Sequence, residues 1–312
     1  MLIGKLPPNR AFIAAFVSFI VLASSPAVAG TLVRVSTTIG DYTIELLDES
    51  APQTVQNFLG YVNRNDYNGT YLHRVVNDFV VQGGGYGFQL FVGPVDVPQG
   101  APVVNEFGAS NVRGTVAMAK LDGQPDSATN QWFVNLADNT SLDTTNGGFT
   151  VFGTVLGNGM IILDAIDDLP VVALGAKASS APYWTESFEN GLDFVYMNAE
   201  VVERFSEAPH VYETNTGKLI TTVSVDGGAE LISLNFDTLS SDPEVILQAN
   251  TKSIIPRKET FPDIATYSTT DNRLRIPSLE INQNGNVFLL SNVVFVLSNT
   301  ELSQFTLESY DQ

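Results

Sequence analysis

Between Tyr71 and Gly85 the chain reads Tyr-Leu-His-Arg-Val-Val-Asn-Asp-Phe-Val-Val-Gln-Gly-Gly-Gly, and this stretch limits the fold more than any other. An apolar strand carries His73 and Arg74, the polar pair Asn77-Asp78 turns the chain, and Phe79-Val80-Val81-Gln82 re-enters as a second strand. The three glycines that follow let the backbone turn tightly. Side chains of a strand point alternately to opposite faces, so Arg74 and Val76 share one surface. One Arg beside Phe79 and Gln82 predicts a shallow apolar face with a fixed cation and an amide. The same residues would equally suit a barrel strand whose Arg is only salt-bridged.

Around this stretch the pattern is mostly that of strands. Thr31 to Leu47 alternates around Ile39-Gly40-Asp41 and reads as a hairpin. Ser50-Ala51-Pro52 opens a helix, with Ser50 as cap and Pro52 in the first turn. Val55, Phe58, Leu59 and Val62 then recur at helical spacing, so this face packs on a sheet. Phe88 to Ala101 is rich in Gly and Pro and predicts a surface loop. Gly114–Leu121, Trp132-Phe133-Val134 and Phe149–Val155 are strands separated by polar loops. Asn158 to Leu169 is a second helix, with Met160, Ile161, Asp164 and Ile166 on its spacing and Pro170 ending it. Phe194 to Val202 closes the set.

After Glu203 the texture changes. Ser206-Glu207-Ala208-Pro209 reads as a linker, with His210 an ordinary linker residue. Strand-like runs follow to the end, with Asp226-Gly227-Gly228 and Asn284-Gly285-Asn286 as turns. No helix is predicted. Residues 206–312 are therefore expected to form a small all-β, sandwich-like accessory domain, separate from a domain over 30–205. Its runs Val287–Leu290 and Val293–Leu297 are almost continuously apolar, which predicts burial on both faces or cover by another surface. The acidic pair Asp242 and Glu244 reads as solvated loop rather than a calcium site.

Composition limits the chemistry. Lys5 and Arg10, the apolar run Ala11–Ala23 and Ala27-Val28-Ala29 have the layout of a secretory signal over residues 1–29, cleaved after Ala29. The run is too short to span a bilayer as a helix. No membrane span is expected in the mature chain, which would be periplasmic or secreted. With no cysteine the fold has no disulfides and the mechanism no thiol. Losing Lys5 and Arg10 takes the formal charge from −19 to −21, a surface that repels nucleic acid.

The central stretch resembles the cyclophilins, whose signature reads Phe-His-Arg-x-Ile-x-x-Phe-x-x-Gln-Gly-Gly. His73, Arg74, Phe79, Gln82, Gly83 and Gly84 match it at the same spacing. Gly114–Ala119, Gln131–Val134, Leu142-Asp143 and Phe149–Gly153 follow in the family's order, and the likeness covers Thr31 to Arg204. It implies a mainly-β fold, a closed eight-stranded antiparallel barrel capped by two helices. It also implies peptidyl-prolyl cis-trans isomerase activity on proline-containing polypeptides, with no cofactor and no metal. Arg74, Gln82 and Phe79 would be catalytic. Phe133, Leu142, Met118, Val80, Ala119, Lys120, Gln131 and Phe149 would hold the substrate. His73 would be structural, and Trp132 should point into the barrel.

Three positions depart from the family's pattern. Ser141 stands where many members have a Trp that contacts the inhibitor cyclosporin, Phe149 where members have His or Tyr, and Asn77 where Pro is common. The chain is expected to be a monomer that assists exported proteins. The competing reading is a proline-peptide binding or chaperone module with low turnover, recruited through the C-terminal domain. A third is a structural part in an envelope assembly. Arg74, Phe79, Gln82 and Phe133 together favour the enzyme.

Overall fold

In a computed structural model, residues 30–203, 206, 208–228, 231–258 and 263–312 are described. The expected signal over 1–29 lies outside them. The first hairpin pairs β1 (Leu32–Thr37) with β2 (Asp41–Leu46). Its turn is fixed by the Thr37 hydroxyl, which donates to the Gly40 carbonyl at 2.7 Å and accepts from the Ile39 and Gly40 amides at 3.1 Å. The remaining elements of this unit are α1 (Pro52–Asn63), β3 (Thr70–Tyr71), β4 (Arg74–Val76), β5 (Val80–Gly83), β6 (Tyr86–Gln89), β7 (Gly93–Asp96), β8 (Thr115–Met118), β9 (Trp132–Asn135), β10 (Val151–Val155), α2 (Gly159–Asp167), β11 (Val171–Val172), β12 (Ala181–Pro182) and β13 (Tyr196–Val202).

Eleven of these strands form one sheet in the order β4-β5-β9-β8-β10-β2-β1-β13-β3-β6-β7. Thr70–Val76 meets both ends of its central run: β3 pairs with β13, and β4 pairs with β5. Counted as one interrupted strand, it gives a run of eight that returns on itself, with the β6–β7 hairpin appended. That hairpin lies where the Gly and Pro content predicted only loop. Its strands are short and partly exposed, so no apolar alternation marked them.

The core inside this run holds Trp132, Phe58, Tyr61, Tyr67 and Phe152, all 1% exposed or less. Phe58 of α1 meets Trp132 edge-on at 5.8 Å and Phe152 at 4.9 Å. The helix is not capped by Ser50. Its N-cap is Ala51, which offers no side-chain bond. The Glu106 carboxylate takes the place of a cap, accepting from the Gln53 and Thr54 amides at 3.2 and 2.8 Å. An acceptor there satisfies first-turn donors that have no partner in the helix, and its charge suits the helix N-terminus. In α2 the buried side is Gly159, Leu163 and Ile166, while Ile161 is 63% exposed, so the predicted face is rotated.

The second compact unit runs from Glu203 to Gln312. Its strands are β14 (Val211–Glu213), β15 (Lys218–Val225), β16 (Leu231–Ser240), β17 (Ile246–Arg257), β18 (Ala265–Ser268), β19 (Arg273–Gln283), β20 (Asn286–Asn299) and β21 (Gln304–Asp311). They make one eight-stranded sheet, β14-β15-β16-β17-β21-β20-β19-β18. Its ends also meet, because β14 pairs in parallel with β19 and β18 with β15. The all-β expectation holds, but this is one self-joining sheet and not two facing ones.

The Asn284-Gly285 turn between β19 and β20 has φ of 51° and 83°, the left-handed pair that a two-residue hairpin needs. His210 is no linker residue. It is 1% exposed, with Nδ1 2.6 Å from the Thr221 hydroxyl and Nε2 2.8 Å from the Asp263 carbonyl. The apolar run at the start of β20 is not covered either: Val287, Phe288 and Leu289 are 44%, 47% and 64% exposed.

Candidate active site

Four strand pairings set the site. Arg74 stands opposite Gln82, Gln82 opposite Phe133, Phe133 opposite Ala117, and Ala117 opposite Val151. Side chains directly across a sheet share a face, so these five form a row on the outside of the strand run. The next row, Val75, Val81, Val134 and Val116, belongs to the interior core. The turn between β4 and β5 places Asp78 at φ 54° and returns the Phe79 amide to the Val76 carbonyl at 3.0 Å.

On the outer face Val80, Ala117, Phe133 and Val151 form a second apolar cluster. Phe79, Ala119, Leu142 and Phe149 pack on it, partly buried. The Phe133 and Phe149 rings meet edge-on at 5.8 Å. Leu142 lies in a 3-10 turn, Thr140–Asp143, and its carbonyl accepts from the Phe149 amide at 3.1 Å. The Phe79 carbonyl accepts from the Leu136 amide at 2.9 Å and from Asn139 Nδ2 at 2.8 Å, which ties this wall of the pocket to the loop after β9. Asp143 fixes the turn from the other side. The Ser110 hydroxyl, then the Asn111 amide and side chain, donate to it and hold its carboxyl below the usual range.

A polar chain borders this cluster. Arg74 Nη1 donates to Gln82 Oε1 at 3.2 Å, and Gln82 Nε2 donates to Gln131 Oε1 at 2.9 Å. No carboxylate pairs with Arg74 among the described residues, so the salt-bridged alternative does not describe it. Partial burial lowers its pKa, yet a guanidinium starts so high that it keeps its charge. Lys120 donates to the Asn146 and Gly148 carbonyls at 2.9 and 2.6 Å, with Nζ 4.8 Å from the centre of the Phe149 ring. Gln82, Ala119, Lys120 and Gln131 also border a cavity of about 290 Å³. Pro102 and Leu121 line it too, as do the polar Gln99, Gln124, Ser127 and Thr129. Sequence reasoning missed these four, which stand in polar loops without periodicity.

Met118 is set apart from the other predicted site residues. It is 1% exposed, lies opposite Trp132 and packs in the interior cluster. Alternation puts Ala117 and Phe133 outside and Met118 and Trp132 inside, so Met118 supports the strand and does not line the pocket. Trp132 faces inward as expected.

His73 is 3% exposed, and its ring stands edge-on to Tyr86 at 4.8 Å. Burial, with the neighbouring Arg74 charge adding and a hydrogen bond to Gln131 opposing, lowers its pKa to about 4. In the unfolded chain a His titrates near 6.5, so between about 6.5 and 4 the unfolded state binds more protons. Its stabilising effect is complete above about pH 6.5 and is lost as the pH falls through this window, by about 3 kcal/mol at most. Urea midpoints from pH 7 to 4 should therefore fall more steeply for the wild type than for His73→Gln. Parallel profiles would remove this role.

The arrangement defines a mainly-β protein with an outward apolar pocket beside two amides and a guanidinium that has no carboxylate partner among the described residues. Residues 32–182 match the model of the family described as cyclophilin type peptidyl-prolyl cis-trans isomerase/CLD. A peptidyl-prolyl cis-trans isomerase of Acinetobacter baylyi is 42% identical over 158 residues, 49% of this chain and 81% of that protein. Peptidyl-prolyl cis-trans isomerase B of Escherichia coli is 39% identical over 151 residues, 46% of this chain and 87% of that protein. A crystal structure of a Cryptosporidium parvum cyclophilin type isomerase, in the presence of the dipeptide Ala-Pro, aligns at 21% identity with a TM-score of 0.42, covering 55% of this chain and 99% of that one. The chain belongs to the cyclophilin-type peptidyl-prolyl cis-trans isomerases. It is an isomerase.

Proposed function

We propose that Arg74 catalyses rotation about X–Pro bonds by stabilising the twisted amide, with Phe79, Val80, Phe133, Leu142 and Phe149 holding the proline ring. Rotation must break amide resonance, at a barrier of roughly 18–20 kcal/mol. The twisted state has a pyramidal proline nitrogen with a free lone pair, and a donor aimed at it binds that state in preference to the planar ones. Gln82 supports this role by accepting from Arg74 at 3.2 Å, and Gln131 supports Gln82. The row from Arg74 through Gln82 to Phe133 carries the reading, because it sets a cation beside an apolar pocket on one face. Lowering the barrier by about 7 kcal/mol would accelerate rotation about five decades. A protease-coupled assay on a proline-containing peptide tests this: acceleration at substoichiometric protein is expected, and an unchanged rate would contradict it.

The clients are read as exported proteins, on the strength of Lys5, Arg10, Ala11–Ala23 and Ala27-Val28-Ala29. Among the described residues no helix is long and apolar enough to cross a membrane. Cyclosporin should inhibit weakly, because the exposed Ser141 offers neither the indole surface nor the N–H of a Trp. Ser141→Trp should tighten inhibition, and nanomolar inhibition of the unaltered protein would contradict the assignment.

The second unit is read as folding by itself and adding nothing to the peptide site. Cutting the chain after Phe205 should leave activity on a short peptide within about threefold, a barrier change of about 0.6 kcal/mol. An insoluble or inactive truncated protein would show that the two units depend on each other.

A further inference from the structure

The open edge of β20 is a feature that peptide isomerisation does not use. β21 pairs with β20 only as far as Ser291, opposite Asp311. From Asn286 to Leu290, β20 is paired on its β19 side alone, and no strand covers its other edge among the described residues. Val287, Phe288 and Leu289, at 44%, 47% and 64% exposed, present apolar side chains on both faces of this edge. No charged residue occurs from Ile281 to Thr300 in a chain of net charge −19. Sheet edges are normally blunted by charge, proline or cover. The terminal strand β7 of the first unit follows that rule, with Pro94 and Asp96. The β20 edge has none of these devices.

We propose that Asn286–Leu290 of β20 binds an extended, apolar, neutral or basic segment of a non-native polypeptide by strand addition. Unpaired backbone groups in a row fit an extended chain, which supplies the missing main-chain hydrogen bonds while its alternate side chains meet Phe288 on one face and Val287 and Leu289 on the other. Charge selects among extended chains. A second copy of this chain brings another −19, whereas a neutral or basic polypeptide meets an uncharged edge on an acidic protein. The occupant is also the kind of molecule on which the first unit acts, so the inference rests on the isomerase reading for its biological sense.

The test uses the full chain and fluorescently labelled, reduced and carboxamidomethylated lysozyme, a basic polypeptide that cannot refold. Phe288→Glu and Leu289→Glu each put a carboxylate on the edge, which attracts such a polypeptide in general while blocking strand addition. Each variant is expected to weaken binding at least fivefold by anisotropy while activity on a short proline peptide stays within twofold. The backbone amides of Asn286–Leu290 should gain protection from hydrogen exchange when the polypeptide is bound. Using both variants guards against one of them failing to fold, which circular dichroism would show. Unchanged binding in a folded variant overturns the proposal. So does a wild-type dimer that Phe288→Glu dissociates without altering lysozyme binding. Binding lost in both variants would still support the edge if the wild type showed no peptide turnover, a result that would count against the isomerase reading instead.

Discussion

Arg74→Ala is expected to lower kcat/KM on an X–Pro peptide by at least tenfold and to leave the melting temperature almost unchanged. The side chain is only partly buried and spans no ion pair among the described residues; it donates to Gln82 Oε1 at 3.2 Å. Removing it therefore leaves no buried charge behind and opens no cavity in the interior core. Its charge is called on when the proline nitrogen becomes pyramidal, so the loss should fall on turnover more than on peptide affinity. Tenfold corresponds to about 1.4 kcal/mol, a modest share of the stabilisation proposed for this group. Arg74→Lys should not restore the rate, because an ammonium lacks the planar fork that can hold Gln82 and face the nitrogen together. Retention of more than about a tenth of wild-type kcat/KM by Arg74→Ala would remove the residue from the mechanism.

Trp132→Ala and Phe133→Ala should fail in different ways although the residues are neighbours. Trp132 points inward, 1% exposed, with edge-on contacts to Phe58 at 5.8 Å and Tyr67 at 6.3 Å. Truncating such a side chain in a core costs about 3–5 kcal/mol, set against a total stability of about 5–15 kcal/mol for a typical domain. That variant should be recovered mostly unfolded or insoluble. Phe133 points outward into the small cluster with Val80, Ala117 and Val151, where its ring also meets Phe149. Phe133 is itself 5% exposed, so its loss also costs stability, but the cluster it leaves is small and lies outside the main core. The loss removes a wall of the proposed pocket, so kcat/KM of the folded variant should fall well over tenfold. Chemical denaturation and the peptide assay on the two variants separate these outcomes. A stable Trp132→Ala beside an unfolded Phe133→Ala would reverse the assignment of faces.

The sequence pattern made the outer row legible because polar residues interrupt it. Arg74 and Gln82 stand out in apolar strands, and Phe133 follows Trp132, so alternation alone separates their faces. Met118 carries no such sign, because Thr115-Val116-Ala117-Met118 offers no polar marker and all four residues are buried. Only the pairing of Met118 with Trp132 and of Ala117 with Phe133 tells inside from outside. Contacts between distant parts of the chain were equally invisible. Glu106 closes the start of α1 from a loop 52 residues away from Thr54, and no local motif marks it. His210 reads as a linker residue until Thr221 and Asp263 are brought to its two ring nitrogens. In β20 a continuous apolar run predicts cover, and the edge from Asn286 to Leu290 has none among the described residues.

The central claim is that the face built from Arg74, Gln82 and Phe133 rotates the X–Pro bond itself. NMR exchange spectroscopy on a short peptide with one X–Pro bond observes that rotation without a coupled protease. With the wild type at a few hundredths of the peptide concentration, cis and trans resonances should exchange within a second, where the uncatalysed peptide takes tens to hundreds of seconds. The same amount of Arg74→Ala should give no exchange cross-peaks on that timescale. Exchange at the wild-type rate in the variant, or none with the wild type, would contradict the account.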